Sequence, residues 1–159
     1  MPLYFLLAAA LVAVDQVVKY LVRAGIPLHT AVDFLPGLDL TYVQNTGAAF
    51  SLFSEHTWLL TLVSLVMSVL LLAALVRGFF RHPFGRISLA LLLAGAVGNL
   101  IDRAFQGYVV DMFHVLFMEF AVFNVADICV VVGGIAAAVY YVWGYERLEK
   151  GLHPQERRP

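Results

Sequence analysis

The chain has 159 residues, 62% of them hydrophobic and only 13% charged, with a formal net charge of −1. A soluble domain is nearer to about half apolar and a quarter charged, so an ordinary water-soluble protein is excluded. The near-balanced charge gives no reason to expect nucleic acid as a partner, and the single cysteine, Cys129, excludes an internal disulfide and a cysteine-rich metal site.

A membrane-crossing helix needs roughly 20 mostly apolar residues. Four segments meet that requirement, at about 3–22, 57–76, 87–101 and 122–143. The first lacks a basic leading region, carries Asp15, Lys19 and Arg23 toward its end and is followed by no convincing small-residue cleavage site. It is expected to be a helix of the mature protein rather than a signal peptide. The segment 25–56 follows. Residues 38–43 alternate and are rich in β-branched and aromatic types, which predicts a strand. Leu35, Pro36 and Gly37 before it, and Asn45, Thr46 and Gly47 after it, are turn signals. The expectation is a small sheet lying on the membrane, with Phe50, Leu52 and Phe53 toward lipid.

The third span is the shortest and is expected to run into the interface through Arg103. In the connection 102–121, Gly107 breaks the pattern, and Tyr108 to Asp111 lead into an amphipathic stretch ending at Phe120, expected to be a short helix. In the fourth span Cys129 reads as packing, and Gly133, Gly134 and Ala136–Ala138 as a small-residue helix contact. A tail, 146–159, closes the chain.

Lys and Arg are retained on the cytoplasmic side. The linker after the second span holds Arg77, Arg81 and Arg86, the tail holds Arg147, Lys150, Arg157 and Arg158, and the stretch 25–56 holds none. Both termini and the middle linker are therefore expected inside, and the segments 25–56 and 102–121 outside. On that frame Asp15 and Lys19 of the first span, Asn99, Asp102 and Arg103 of the third, and Asn124 and Asp127 of the fourth all reach one depth near the outer surface. The inner halves are almost wholly apolar. Ionisable groups at membrane depth are costly and mark a functional site by default. One cluster on the outer side points to a site there, not to a pathway across.

Asp111 and Asp127 are the leading pair. Two carboxylates at one desolvated site cannot both ionise cheaply, so they share a proton; one then acts as a base toward water while the other donates to a carbonyl. The alternative is a solvated Asp111 with Asp127 paired to Arg103. Asp15 and Lys19, four apart on one helix face, suit an ion pair, or Lys19 is a desolvated general base for Ser51 or Ser54. Asp102 and Arg103 anchor the third helix, or Arg103 binds a lipid phosphate or a substrate carbonyl. Asn45, Asn99 and Asn124 satisfy backbone or orient a substrate. The five histidines, His29, His56, His82, His114 and His153, are scattered and show no metal-ligand spacing, so no metal and no cofactor is expected. A proton-coupled transporter using Asp15, Asp111 and Asp127 is a reading from another class, but it calls for polar residues in the inner halves as well.

Four motifs in order resemble one family. Asp15-Gln-Val-Val-Lys19 is similar to the first-helix motif of the lipoprotein signal peptidases (signal peptidase II), bacterial aspartic peptidases of prolipoproteins. Val43-Gln-Asn-Thr-Gly-Ala-Ala-Phe-Ser51 resembles its periplasmic motif. Gly98-Asn-Leu-Ile-Asp-Arg103 with Gly107-Tyr-Val-Val-Asp111 resembles the third, and Phe123-Asn-Val-Ala-Asp127 the fourth. Ala94 stands where the family usually has glycine before Gly95, which bears on helix packing alone. The resemblance implies that Asp111 and Asp127 are the catalytic dyad. It also implies that Asn45, Gly47, Asn99, Arg103 and Asn124 support substrate or site, and that Asp15, Lys19 and Asp102 are structural. The implied substrates are prolipoproteins carrying diacylglycerol on cysteine, cut just before that cysteine by a monomer among inner-membrane phospholipids. The expected fold is an all-α membrane protein: four transmembrane helices, a small periplasmic β-sheet segment and a short periplasmic amphipathic helix, in one domain.

Overall fold

A computed structural model of the protein describes residues 1–47 and 57–149, with side chains through residue 144. Phe50, Leu52 and Phe53, expected toward lipid, and the serines Ser51 and Ser54 lie outside the described residues, as does most of the tail. Four helices are long and apolar enough to cross a membrane: α1 (Pro2–Gly25), α2 (Thr57–Val76), α3 (Pro83–Gln106) and α4 (Val125–Val139), the last continuing as a π-helical stretch, Tyr140–Glu149.

Local chemistry sets the ends. At the start of α3, His82 is the N-cap, its ring Nδ1 accepting from the Phe84 N–H at 3.2 Å, and proline occupies the first turn, where its missing N–H costs nothing. The helix stops at Gly107, whose φ of 78° is the left-handed conformation that glycine adopts without a Cβ penalty. The third span, expected at 87–101, is thus helical through Asp102 and Arg103. The fourth begins later than expected, at Val125, because Asn124 and Asp127 form a reciprocal capping box.

Helix α3 packs against α1, α2 and α4 and is the most buried of the four. Ala8, Leu75, Phe80, Leu89, Ala90, Leu93, Ala94 and Tyr140 make one core near the His82 end of α3. By contrast only Ser68 and Leu75 of α2 are buried, which leaves nearly its whole circumference apolar and outward, as a lipid-facing helix requires.

At the other end of the bundle sits a three-stranded antiparallel sheet in the order β1 (Ala31–Leu35), β2 (Leu38–Asn45), β3 (Val109–Val115). Val22 of α1, Tyr42, Val110 and Met112 form a second core beneath it. Strand β3 corrects the expectation of a short amphipathic helix: residues 109–115 are extended, and no helix is described between Gly107 and Asn124. The physical reason is pairing. The β-branched start of this stretch lies along β2, with Asn45 opposite Val109 and Val43 opposite Asp111, so its backbone groups are satisfied across the sheet. A further bridge from Phe113 to Phe123 then returns the chain to α4. Strand β1 had no clear sequence signal; all five of its residues are exposed, so no burial pattern marks it.

Candidate active site

The polar residues singled out in the sequence meet beneath the sheet, in two neighbouring clusters. The first is centred on Lys19. Its Nζ lies 2.9 Å from Asp15 Oδ2 and 2.9 Å from Asp102 Oδ2, and it donates to Asn99 Oδ1 at 3.1 Å. All three side chains of this ion triad are at most 1% exposed. An ammonium has three N–H donors and no acceptor, and here each donor has a partner. Lys19 therefore offers no lone pair to a nucleophile, which removes the main support for a serine–lysine reading. Gln16, which the sequence analysis passed over, ties the cluster together: its Nε2 donates to Asp15 Oδ2 at 3.2 Å, Asp102 Oδ1 at 3.1 Å and the Gly98 carbonyl at 3.2 Å. An amide inside an otherwise apolar span was the signal for it.

The second cluster holds Asp111 and Asp127. Asp111, on β3, is 2% exposed. Its Oδ2 accepts from Asn45 Nδ2 at 2.8 Å, and its Oδ1 from Asn124 Nδ2 at 2.7 Å. Asn45 sits on β2 two residues beyond Val43, the residue opposite Asp111, and so on the same sheet face. Its own Oδ1 accepts from the Gly47 N–H at 2.9 Å, which closes the turn and fixes the amide. Asp127 is half-buried at the third position of α4. Its Oδ1 accepts from Asn99 Nδ2 at 2.8 Å and its Oδ2 from the Asn124 N–H at 3.2 Å.

Asn124 is the hinge of the arrangement. Its Oδ1 accepts from the Asp127 N–H at 2.8 Å, and its Nδ2 donates to both Asp111 Oδ1 and, at 3.2 Å, Asn99 Oδ1. A helix cap therefore doubles as the link between the two carboxylates. Among the described residues, the donors that meet Asp111 and Asp127 are amides, with no cation in hydrogen-bond contact. Burial, above all, pushes the Asp111 carboxyl up to about 6; the neighbouring charge of Asp127 adds to this, while hydrogen bonds from Asn45 and Asn124 and the charge of Lys19 pull the other way. Among the described residues, no group of His, Cys, Asp and Glu side chains could hold a metal ion.

Arg103 projects from α3 beside this pair. One terminal nitrogen donates to the Gly47 carbonyl at 3.2 Å and the other to Ser64 Oγ at 3.5 Å, while its buried Nε has no partner among the described residues. The alternative in which Asp127 pairs with Arg103 is not the arrangement found: Asp127 is held by asparagines and the helix cap. A cavity of about 470 Å³ opens from Asp111, Asp127 and Arg103 along the apolar side chains Ile128, Val131 and Val132 of α4. A second, of about 870 Å³, runs from Asn45 and Asp111 under the sheet past His114 and Phe117. Asp111 lines both cavities and Asp127 the one along α4, so Asp111 lies where the two meet.

Four apolar helices, a sheet at one end and a buried acid pair at their junction define a multi-pass membrane protein with an enzyme-like site. The chain belongs to the signal peptidase II family: the family described as "Signal peptidase (SPase) II" matches residues 7–143. It is similar to a lipoprotein signal peptidase of Enterococcus faecalis, with 40% identity over 93% of this chain and 92% of the relative. A lipoprotein signal peptidase of Symbiobacterium thermophilum is 43% identical over 82% of this chain and 88% of its own. Among solved structures, one described as a bacterial membrane enzyme at 1.9 Å superposes with a TM-score of 0.82 at 27% identity, over 90% of this chain and 94% of that one. A second so described, at 2.3 Å, gives the same TM-score at 25% identity over 100% and 94%.

Proposed function

We propose that the protein is an aspartic endopeptidase that removes signal peptides from diacylglycerol-modified prolipoproteins, cutting just before the lipidated cysteine. The observation that carries the aspartic reading is the linking of Asp111 to Asp127 through Asn124, with amides as their hydrogen-bond donors among the described residues. Asp111, whose buried carboxyl is pushed up to about 6, holds the shared proton and donates it to the scissile carbonyl. Asp127, at the positive end of α4, takes a proton from the attacking water. A tetrahedral diol forms and collapses with the proton returned to the leaving amine. Asn45, Gly47, Asn99 and Asn124 hold the acids, and Arg103 meets a substrate carbonyl. The lipid occupies the groove along α4, which it enters sideways from the bilayer. The relatives' names supply the substrate class; the apolar groove meeting the acids supports it physically.

The same reading puts the sheet and the acids on the periplasmic side of a bacterial inner membrane, with both termini cytoplasmic and the enzyme acting as a monomer among phospholipids. Its support is the basic residues Arg77, Arg81 and Arg86, which lie at the end of the bundle away from the sheet. Single cysteines placed at residues 33 and 82 in a Cys129→Ala background test it: residue 33 should label from outside and residue 82 only after the cytoplasmic side is opened. Labelling of residue 82 from outside would invert the frame. The function itself is tested by incubating the purified protein with a prolipoprotein in liposomes, with and without the diacylglyceryl group. Cleavage before the cysteine of the lipidated form alone is expected, and failure to cut either form sinks the proposal.

A further inference from the structure

The ion triad around Lys19 does more than neutralise buried charge. Each of its carboxylates reaches out to one backbone N–H. Asp15 Oδ1 accepts from the Ala126 N–H at 2.8 Å, and Asp102 Oδ2 accepts from the Val110 N–H at 3.1 Å. Ala126 is the residue directly before Asp127, and Val110 the residue directly before Asp111. Both recipients are themselves buried, at 1% and 0% exposure. Lys19 joins the two arms, being 2.9 Å from each carboxylate, and its remaining N–H goes to Asn99, which holds Asp127.

The chain makes room for this. A Cβ at Gly98 would stand 2.7 Å from Asp15 Oδ2, and one at Gly95 would stand 2.4 Å from the Ala126 carbonyl oxygen. Both contacts are closer than a methyl group permits, so glycine at these two turns of α3 lets α1 and the start of α4 approach. A bonded pair at the opening of α4 also explains a backbone detail. The first N–H groups of a helix have no partner within it; the capping box supplies one for Asp127, and Asp15 supplies one for Ala126.

We propose that Asp15 and Asp102, bridged by Lys19, are positioning residues that set the spacing and orientation of Asp111 and Asp127 by gripping the peptide N–H immediately ahead of each. This rests on the aspartic reading given above. Neither residue touches substrate; each acts through the backbone it holds. Acid pairs work only within narrow geometry, and a misplacement of about 1 Å from a remote change costs on the order of 10²-fold in rate. The proposal therefore goes beyond stability: what matters at positions 15 and 102 is an acceptor oxygen for one particular N–H.

Asparagine keeps such an oxygen and alanine does not, which gives a matched test. Asp15→Asn with Lys19→Met is compared with Asp15→Ala with Lys19→Met, so that both members remove the same charges. Asp102→Asn against Asp102→Ala repeats the test on the Val110 arm. Each protein is purified, the folded fraction is measured, and kcat and KM are read on the lipidated prolipoprotein in liposomes. The expected result is a kcat at least about 10-fold lower for each alanine form than for its asparagine partner, with KM within about threefold. Equal kcat per folded molecule within both pairs overturns the proposal. So does a result in which the alanine forms fail to accumulate while the asparagine forms do, since the oxygens then serve folding. If all the variants of one arm are lost, the other arm decides by the same criteria; loss of every variant on both arms also counts against it, because charge removal alone would then account for everything. Wild-type protein that cannot cut the substrate at all is a different failure, of the aspartic reading itself.

Discussion

Two pairs of carboxylates stand in neighbouring clusters in this protein, three of the four buried and Asp127 half-buried, and the groups that bond to them differ. Asp15 and Asp102 have a cation between them: Lys19 stands 2.9 Å from an oxygen of each. Asp111 and Asp127 have asparagine amides instead, from Asn45, Asn99 and Asn124. In the first pair the charge is met and every donor is used, so nothing is left to react. In the second the hydrogen bonds come from neutral amides, and the charges of Lys19 and Arg103 act from beyond hydrogen-bond contact, so burial still pushes the Asp111 carboxyl up. The same residue type thus meets a cation in one place and neutral amides in the other, and the proposed chemistry falls on the second. A transporter would need such groups along its length. Toward the other end of the bundle the buried polar side chains are Ser68 and Ser88, whose hydroxyls donate to the carbonyls of Ser64 and Phe84 within their own helices.

The strongest way to break the comparison is to remove the proton exchange from the second pair. Asp111→Asn and Asp127→Asn should each lower kcat by at least about 10²–10⁴-fold, the range ascribed to a general acid or base, while the protein still inserts and accumulates. Asn retains the side-chain shape but cannot pass the proton. Substantial turnover in either variant, measured per folded molecule on the lipidated substrate, would remove the distinction between the pairs.

The first pair is broken by taking away its cation. Lys19→Met leaves Asp15 and Asp102 buried without a counter-charge, and stranding a buried charge costs about 3–5 kcal/mol. Asp15→Asn leaves Lys19 still paired with Asp102 and should accumulate better. Asp15→Asn combined with Lys19→Met leaves one carboxylate, Asp102, which still accepts from Gln16, Gln106 and the Val110 N–H, and should recover part of the loss. Membrane levels and detergent melting curves of the three proteins check the order. If Lys19→Met is no worse than Asp15→Asn, the ion triad is not the unit it is described as.

How much of this was legible in the sequence follows from what each signal depends on. The four spans were legible because apolar runs of helical length have few other uses. The common depth of Asp15, Asn99, Asp102, Asn124 and Asp127 followed from counting residues along those spans. Partner choice did not follow. Position along four helices says which groups share a level, but not that Lys19 bridges Asp15 and Asp102 rather than pairing with Asp15 alone. Nor does it say that Asn124 links the two acids. The stretch after Asp111, expected as helix, opens as the end of the strand Val109–Val115, because a short amphipathic stretch carries little periodicity and its conformation is decided by a partner strand more than 60 residues away. The grip of Asp15 on Ala126 and of Asp102 on Val110 involves backbone N–H groups, which every residue but proline has and which no sequence pattern marks.

The smallest expected effect is on stability rather than rate, and it separates the pairs without an assay of cleavage. Burial lifts the Asp111 carboxyl from 3.8 to about 6 in the folded protein. A carboxyl whose folded pKa is raised binds its proton more tightly when folded than when unfolded. Its contribution to stability is therefore complete below about pH 4 and is lost as pH rises through about 6. Over that window the native protein should lose about 3 kcal/mol from this one group, at about 1.4 kcal/mol for each pH unit between the two values. Asparagine does not titrate, so Asp111→Asn is spared the loss. Any fixed cost of the substitution, such as an amide now facing the amides of Asn45 and Asn124, is the same at every pH. The difference in melting temperature, variant minus native, should then move in the variant's favour as pH rises from 4.5 in detergent, with most of the change below about pH 6 and little beyond about pH 7. A flat difference for Asp111→Asn across that range would mean that burial does not raise the Asp111 carboxyl in the folded protein, and the contrast between the two pairs would lose its electrostatic side.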